Sequence, residues 1–104
     1  MSLSSKLNIF WSPEAVEDLN QALAFAVSEG VDQAPRLVAK LEGVLKVLVA
    51  FPASGRPGQI SGTREHLISD LPFLIIYRVH DENFEVVRFY HSARQWPVKR
   101  KKKA

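Results

Sequence analysis

The stretch from Leu71 to Pro97, LPFLIIYRVHDENFEVVRFYHSARQWP, constrains the fold more than any other part of the chain. It divides into two runs dense in β-branched and aromatic residues, Phe73–His80 and Phe84–Tyr90, joined at Asp81-Glu82-Asn83, and such runs suit adjacent strands. Side chains alternate across a strand, so Phe73, Ile75, Tyr77 and Val79 would share one face and Leu74, Ile76, Arg78 and His80 the other. Both faces begin apolar, as in a strand covered on two sides. The helices upstream can cover only one side of a small sheet. The other side is therefore expected to be left greasy and to be closed by a polypeptide from outside this chain.

Leu7–Trp11 reads as a short first strand with Leu7, Ile9 and Trp11 on one face. Ser12-Pro13-Glu14 then starts a helix: the serine oxygen can accept from free amides, the proline loses no needed N–H, and the glutamate suits the positive helix end. This helix should run to about Glu29, with an apolar stripe of Val16, Leu19, Leu23, Ala26 and Val27 and with Gly30 as its C′ residue. Asp32 is expected to cap a second helix that tolerates Pro35 in its first turn and carries Leu37, Val38, Leu41, Val44, Leu45, Leu48 and Val49. Gly43 interrupts it at a cost of about 1 kcal/mol against alanine, which predicts close approach of another backbone. Phe51-Pro52 ends the helix, Ala53–Gly62 is a loop, and Thr63–Ser69 is a strand with Arg64, His66 and Ile68 opposed to Glu65 and Leu67. The expected architecture is α+β in the order β-α-α-β-β-β, a helical hairpin packed on one face of a small, mostly antiparallel sheet. It fills one domain over residues 1–104, with residues 1–5 frayed and 98–104 a basic tail.

Composition excludes some chemistry. With no cysteine, thiolate catalysis and Cys-ligated metal sites are out, and His66, His80 and His91 lack metal-ligand spacing, so neither metal nor cofactor is expected. No apolar run nears the ~18 residues that span a bilayer, which points to a cytoplasmic protein without membrane attachment. The net charge of +3 owes much to the run Lys99-Arg100-Lys101-Lys102-Lys103. Such a run is a solvated extension or a weak attractor of nucleic acid or an acidic partner.

Several signals succeed one another along the chain: Trp11-Ser12-Pro13-Glu14-Ala15, Phe51-Pro52, Gly55-Arg56, Gly62-Thr63-Arg64-Glu65, Phe73–Val79, and His91-Ser92-Ala93-Arg94-Gln95-Trp96-Pro97. In order and spacing, from about Leu7 to Pro97, the chain resembles the RelE/ParE superfamily, the toxin halves of bacterial type II toxin–antitoxin modules, also called plasmid stabilisation proteins. The resemblance implies a partner, a cognate antitoxin that wraps the toxin, and an assembly that is a homodimer or a toxin–antitoxin hetero-oligomer. It leaves the target open, because fold does not decide between the two mechanisms of the superfamily.

ParE-like members bind and poison DNA gyrase. RelE- and YoeB-like members cut mRNA on the ribosome, which requires a base for the 2′-OH, an acid for the leaving oxygen and cations for the charge on phosphorus. For that chemistry the resemblance offers His91 as acid and Arg64 with Arg78 as phosphate ligands. A base is missing, since Glu65 should point away from Arg64 and His66 is a weak substitute. The aromatic that stacks an RNA base would fall near Ser92 and is absent, with Trp96 the only stand-in. The ending His91–Trp96 is closer to ParE-like proteins, although Ser92 replaces their glycine and Gln95 their acid. On that side the target-binding anchors would be Arg94, Trp96 and Arg64. A third reading is a degenerate homologue that binds antitoxin without toxicity. Each singled-out residue also has an ordinary structural role: His91 as a strand-end hydrogen-bonding group, Arg64 and Arg78 as ion-pair partners of Glu65, Glu85 or Asp81, Arg88 as structural, and Trp11 and Trp96 as packing.

Overall fold

In a computed structural model, which describes residues 7–91, the chain forms β1 (Asn8–Trp11), α1 (Pro13–Glu29), α2 (Gln33–Ala50), a 3-10 turn (Pro52–Ser54), β2 (Arg56–Pro57), β3 (Arg64–Leu67), β4 (Phe73–His80) and β5 (Asn83–His91). The frayed start, Arg94, Trp96 and the basic tail lie outside the described residues. The five strands make one sheet in the order β1-β5-β4-β3-β2, antiparallel except for the parallel pair β1–β5. The two-residue β2 is the strand the sequence did not show, being too short for any period. A two-residue turn with Asp81 at φ 56° joins β4 to β5, a backbone region aspartate tolerates better than most residues.

Helix α1 lies against β5 and pairs with α2. Its sheet-facing residues are Ala15, Ala22 and Ala26, small side chains that let the helix axis come close to the strand, with Leu19 and Leu23 beside them. Val16 and Val27, expected in the stripe, stand exposed, as does Val38 of α2. A template that scores bulk selects the valines and passes over the alanines. From α2, Leu37, Leu41, Leu45 and Leu48 join Phe73, Ile75, Tyr77, Phe84, Val86 and Phe89 of the sheet in one core, in which Phe73 stacks on Phe89 and Tyr77 on Phe84 at centroid separations of 5.0 and 4.8 Å.

Ser12 begins α1 as expected: its Oγ accepts from Ala15 N at 3.0 Å. The same hydroxyl donates to the Val87 carbonyl at 2.8 Å. Tyr77 pairs with Val86 and Ile76 with Arg88, so Val87 is the extra residue of a β-bulge, and Ser12 satisfies the carbonyl that the bulge displaces. Gly30 closes α1 at φ 153°, a region favouring glycine. Asp32 precedes α2 but makes no side-chain capping bond, since its own backbone is already helical. Gly43 is exposed, and a Cβ built there meets nothing within 4 Å, so no backbone approaches it and the expected compensation is absent.

The second face of the sheet also departs from expectation. Leu74 and Ile76 point away from the helices yet are 6% and 0% exposed. By register Ile76 lies between Glu65 and Arg88, and Leu74 between Leu67 and Tyr90, with the Arg88 guanidinium 4.5 Å above the Tyr90 ring. The centre of this face is closed, against the expectation from alternation, while Leu67 at 55% and Phe10 at 41% keep apolar surface exposed towards its edges.

Candidate functional site

The two sides of the sheet position the candidate residues very differently. On the β2–β3 side, Arg64 and Glu65 fall on opposite faces because they are consecutive in a strand. Arg64 donates to the carbonyls of Gly55 at 2.7 Å and Ala53 at 3.4 Å. Tyr77 is fully buried, and its hydroxyl donates to Pro52 O at 2.6 Å and accepts from Gly55 N at 3.0 Å. A Cβ at Gly55 would run into that hydroxyl, so only glycine lets the loop come this close. Burial raises the Tyr77 pKa. Glu65, only 4% exposed, accepts from Arg56 at 3.3 Å and from Gln59 N at 3.1 Å. Each of these polar groups fastens the loop to the sheet.

Arg78 lies on the face opposite Arg64. It donates to Glu85 Oε1 at 2.8 Å, and His80 Nε2 lies 3.1 Å from the same oxygen. Burial alone would raise the Glu85 carboxyl, but the hydrogen bonds from Arg78 and His80 hold it below its ordinary range. The ion-pair reading of Arg78 is therefore the observed one.

His91 ends β5 on the helix side, its ring edge-on to Phe25 at 5.5 Å and to Phe73 at 5.2 Å. It pairs with Phe73, whereas Arg64 pairs with Tyr77, so the two are separated by two strands and four residues of rise, about 16 Å between backbones. The proposed acid and both proposed phosphate ligands are not brought into one site. His66, the substitute base, has its pKa lowered by burial and lies opposite Ile75 on β3. Among the described residues no group of three His, Asp or Glu could hold a metal ion, and no helix is long and apolar enough to cross a membrane.

A groove of about 400 Å³ runs between α1 and the part of β5 that lies beyond the end of β1. Sequence reasoning missed it, because it combines one helix face with a strand edge far away in the chain. Phe25, Phe73, Phe89 and His91 line it, and Glu14 and Glu17 rim it. Within its lining Asp18 accepts from Arg88 Nε at 2.7 Å, from Arg88 Nη2 at 3.0 Å and from Phe89 N at 3.0 Å. Asp18 thus serves as the ladder partner that β1 no longer supplies, and its hydrogen bonds raise the Arg88 pKa further. Arg88 is structural, as one reading of the sequence held. Trp11 likewise packs on the core, 6.0 Å from Phe89.

Comparison with solved structures gives the fold class first. The chain superposes on a protein of the chromosomal ParDE toxin–antitoxin system of P. aeruginosa with a TM-score of 0.71, at 25% identity, covering 85% of this chain and 98% of that one. YafQ of E. coli strain BL21(DE3) has a TM-score of 0.58 at 20% identity, covering 84% and 94%. YoeB of Staphylococcus aureus has 0.57 at 21%, covering 83% and 98%. The two latter likenesses concern fold alone: two helices on a mixed sheet. Residues 9–96 match the model of the ParE toxin of the type II toxin–antitoxin system parDE, and the chain belongs to that family. It is also 36% identical over 93 residues to a Sinorhizobium fredii (strain NBRC 101917 / NGR234) protein named "Putative toxin Y4kP", covering 89% of this chain and 96% of the relative.

Proposed function

We propose that this member of the ParE toxin family inhibits DNA gyrase by protein–protein binding and is neutralised by a cognate antitoxin. Membership of a family defined by toxin–antitoxin pairs supports the antitoxin. The observation that favours gyrase over mRNA is the dispersal of the nuclease residues: the backbones of His91 and Arg64 are about 16 Å apart, and Arg78 faces the opposite side bound to Glu85. Residues 7–91 hold seven Lys and Arg against eleven Asp and Glu, a net of −4, so the positive charge of the chain, +3 overall, is concentrated in its ends. The groove beside His91 is itself rimmed by carboxylates. Gyrase binding needs aromatic and arginine anchors instead of tuned acids, and Arg94 and Trp96 fill that role together with the basic tail. Arg64 is a poorer anchor, since its guanidinium is held by backbone carbonyls.

Expression without antitoxin is expected to give filamenting cells with an induced DNA-damage response. His91→Ala should leave that toxicity largely intact, while Arg94→Ala with Trp96→Ala should abolish it. Rapid translation arrest with cleaved mRNA, or loss of toxicity in a folded His91→Ala protein, would favour the ribosome-dependent endonuclease. No growth phenotype at all would favour the degenerate antitoxin binder.

A further inference from the structure

The groove between α1 and β5 has a composition that neither gyrase inhibition nor the fold itself requires. Its floor is aromatic, and Phe25 remains 40% exposed although its ring already packs edge-on to His91. Its rim carries Glu14 and Glu17, three residues apart on α1 and therefore neighbours on one helix face. Glu14 has no hydrogen-bond partner among the described residues, and Glu17 meets only the Gln21 amide at 3.4 Å. The nearby cation, Arg88, gives its hydrogen bonds to both carboxylate oxygens of Asp18 and acts on Glu14 only through space, so neither rim carboxylate is hydrogen-bonded to a cation among the described residues. An arginine side chain suits such a place: its planar guanidinium stacks on an aromatic ring and forks to carboxylates, and its stem covers apolar surface. The volume, about 400 Å³, fits one such side chain with part of its flanking chain.

We propose that this groove seats an arginine-bearing segment of the cognate antitoxin, with the guanidinium between Glu14 and Glu17 and its stem over Phe25. The inference rests on the toxin–antitoxin reading above. Charge complementarity selects the occupant: the groove sets Glu14, Glu17 and Asp18 against the single arginine Arg88, so it attracts a cationic segment over an acidic one.

The test uses the full chain co-expressed with the antitoxin encoded beside it and purified as the complex. Glu14→Arg with Glu17→Arg should weaken antitoxin binding at least tenfold by calorimetry. Glu14→Gln with Glu17→Gln should weaken it less and flatten its salt dependence. Glu29→Arg with Glu42→Arg, exposed and outside the groove, should leave it unchanged, and an Arg→Glu change in the antitoxin segment should restore binding to the doubly reversed toxin. Circular dichroism and melting of each variant confirm that the fold is retained. Unchanged antitoxin affinity in the reversed variant would overturn the seat while leaving the toxin–antitoxin reading standing. Loss of gyrase inhibition with antitoxin binding intact would overturn it too, by assigning the groove to the target. Failure of the wild-type chain to bind that antitoxin would instead fail the underlying reading.

Discussion

The β2–β3 side of the sheet and the α1–β5 groove contain similar kinds of residue, arranged to opposite effect. At the first, Arg64, Glu65 and Tyr77 are bonded to the loop that follows α2, through Ala53, Gly55, Arg56 and Gln59. At the second, Asp18 and Arg88 are just as firmly paired, yet Glu14, Glu17 and Phe25 beside them are turned to solvent. Polar groups that are satisfied internally stabilise a fold, and those left unsatisfied at a rim are available to a partner. Residue type alone does not tell the two apart; register and burial do.

That contrast breaks or sharpens with stability measurements. Asp18→Ala removes the carboxylate from the half-buried guanidinium of Arg88 and from the Phe89 amide, and should cost about 2 kcal/mol in urea unfolding. Glu17→Ala, one residue away, should change stability by less than ~0.5 kcal/mol. If the two substitutions cost the same, the division between structural and available charge fails. Tyr77→Phe leaves the Pro52 carbonyl and Gly55 amide without the hydroxyl and should cost about 2 kcal/mol, with faster proteolysis in the loop from Ala53 to Gly62. A neutral Tyr77→Phe would mean that this loop is not fastened through the sheet. The smallest effect is a gain: Gly43→Ala meets open space on an exposed helix face and should stabilise by about 1 kcal/mol. A loss there would imply a backbone neighbour after all.

The legible parts of this molecule were those whose physics is local. Ser12-Pro13 and Gly30 mark the bounds of α1 through capping and φ, and the Phe73–His80 run announces its strand by side-chain shape. The opposed faces of Arg64 and Glu65 follow from strand period alone. Three features were not legible. The alanine seam of α1 is invisible to a measure of bulk, although Ala15, Ala22 and Ala26 repeat at helical spacing and could have been found by it. The burial of Leu74 and Ile76 does not follow from strand alternation, and the bulge at Val87, which shifts the register of β4 against β5, has no signature in the sequence. The groove joins residues about 70 positions apart, as in the Asp18–Arg88 pair, and no window along the sequence spans it. The gyrase reading began from a resemblance in the last residues of the chain; the separation of His91 from Arg64 and Arg78 supports it on grounds that the sequence could not supply.

The central claim, poisoning of gyrase without hydrolysis of RNA, is tested most directly by adding the purified chain to DNA gyrase with relaxed plasmid and, in parallel, to programmed ribosomes. The account predicts that supercoiling stops and gyrase–DNA cleavage complexes accumulate while ribosome-bound mRNA stays whole. Unimpaired supercoiling together with mRNA cut in the ribosomal A site would contradict it.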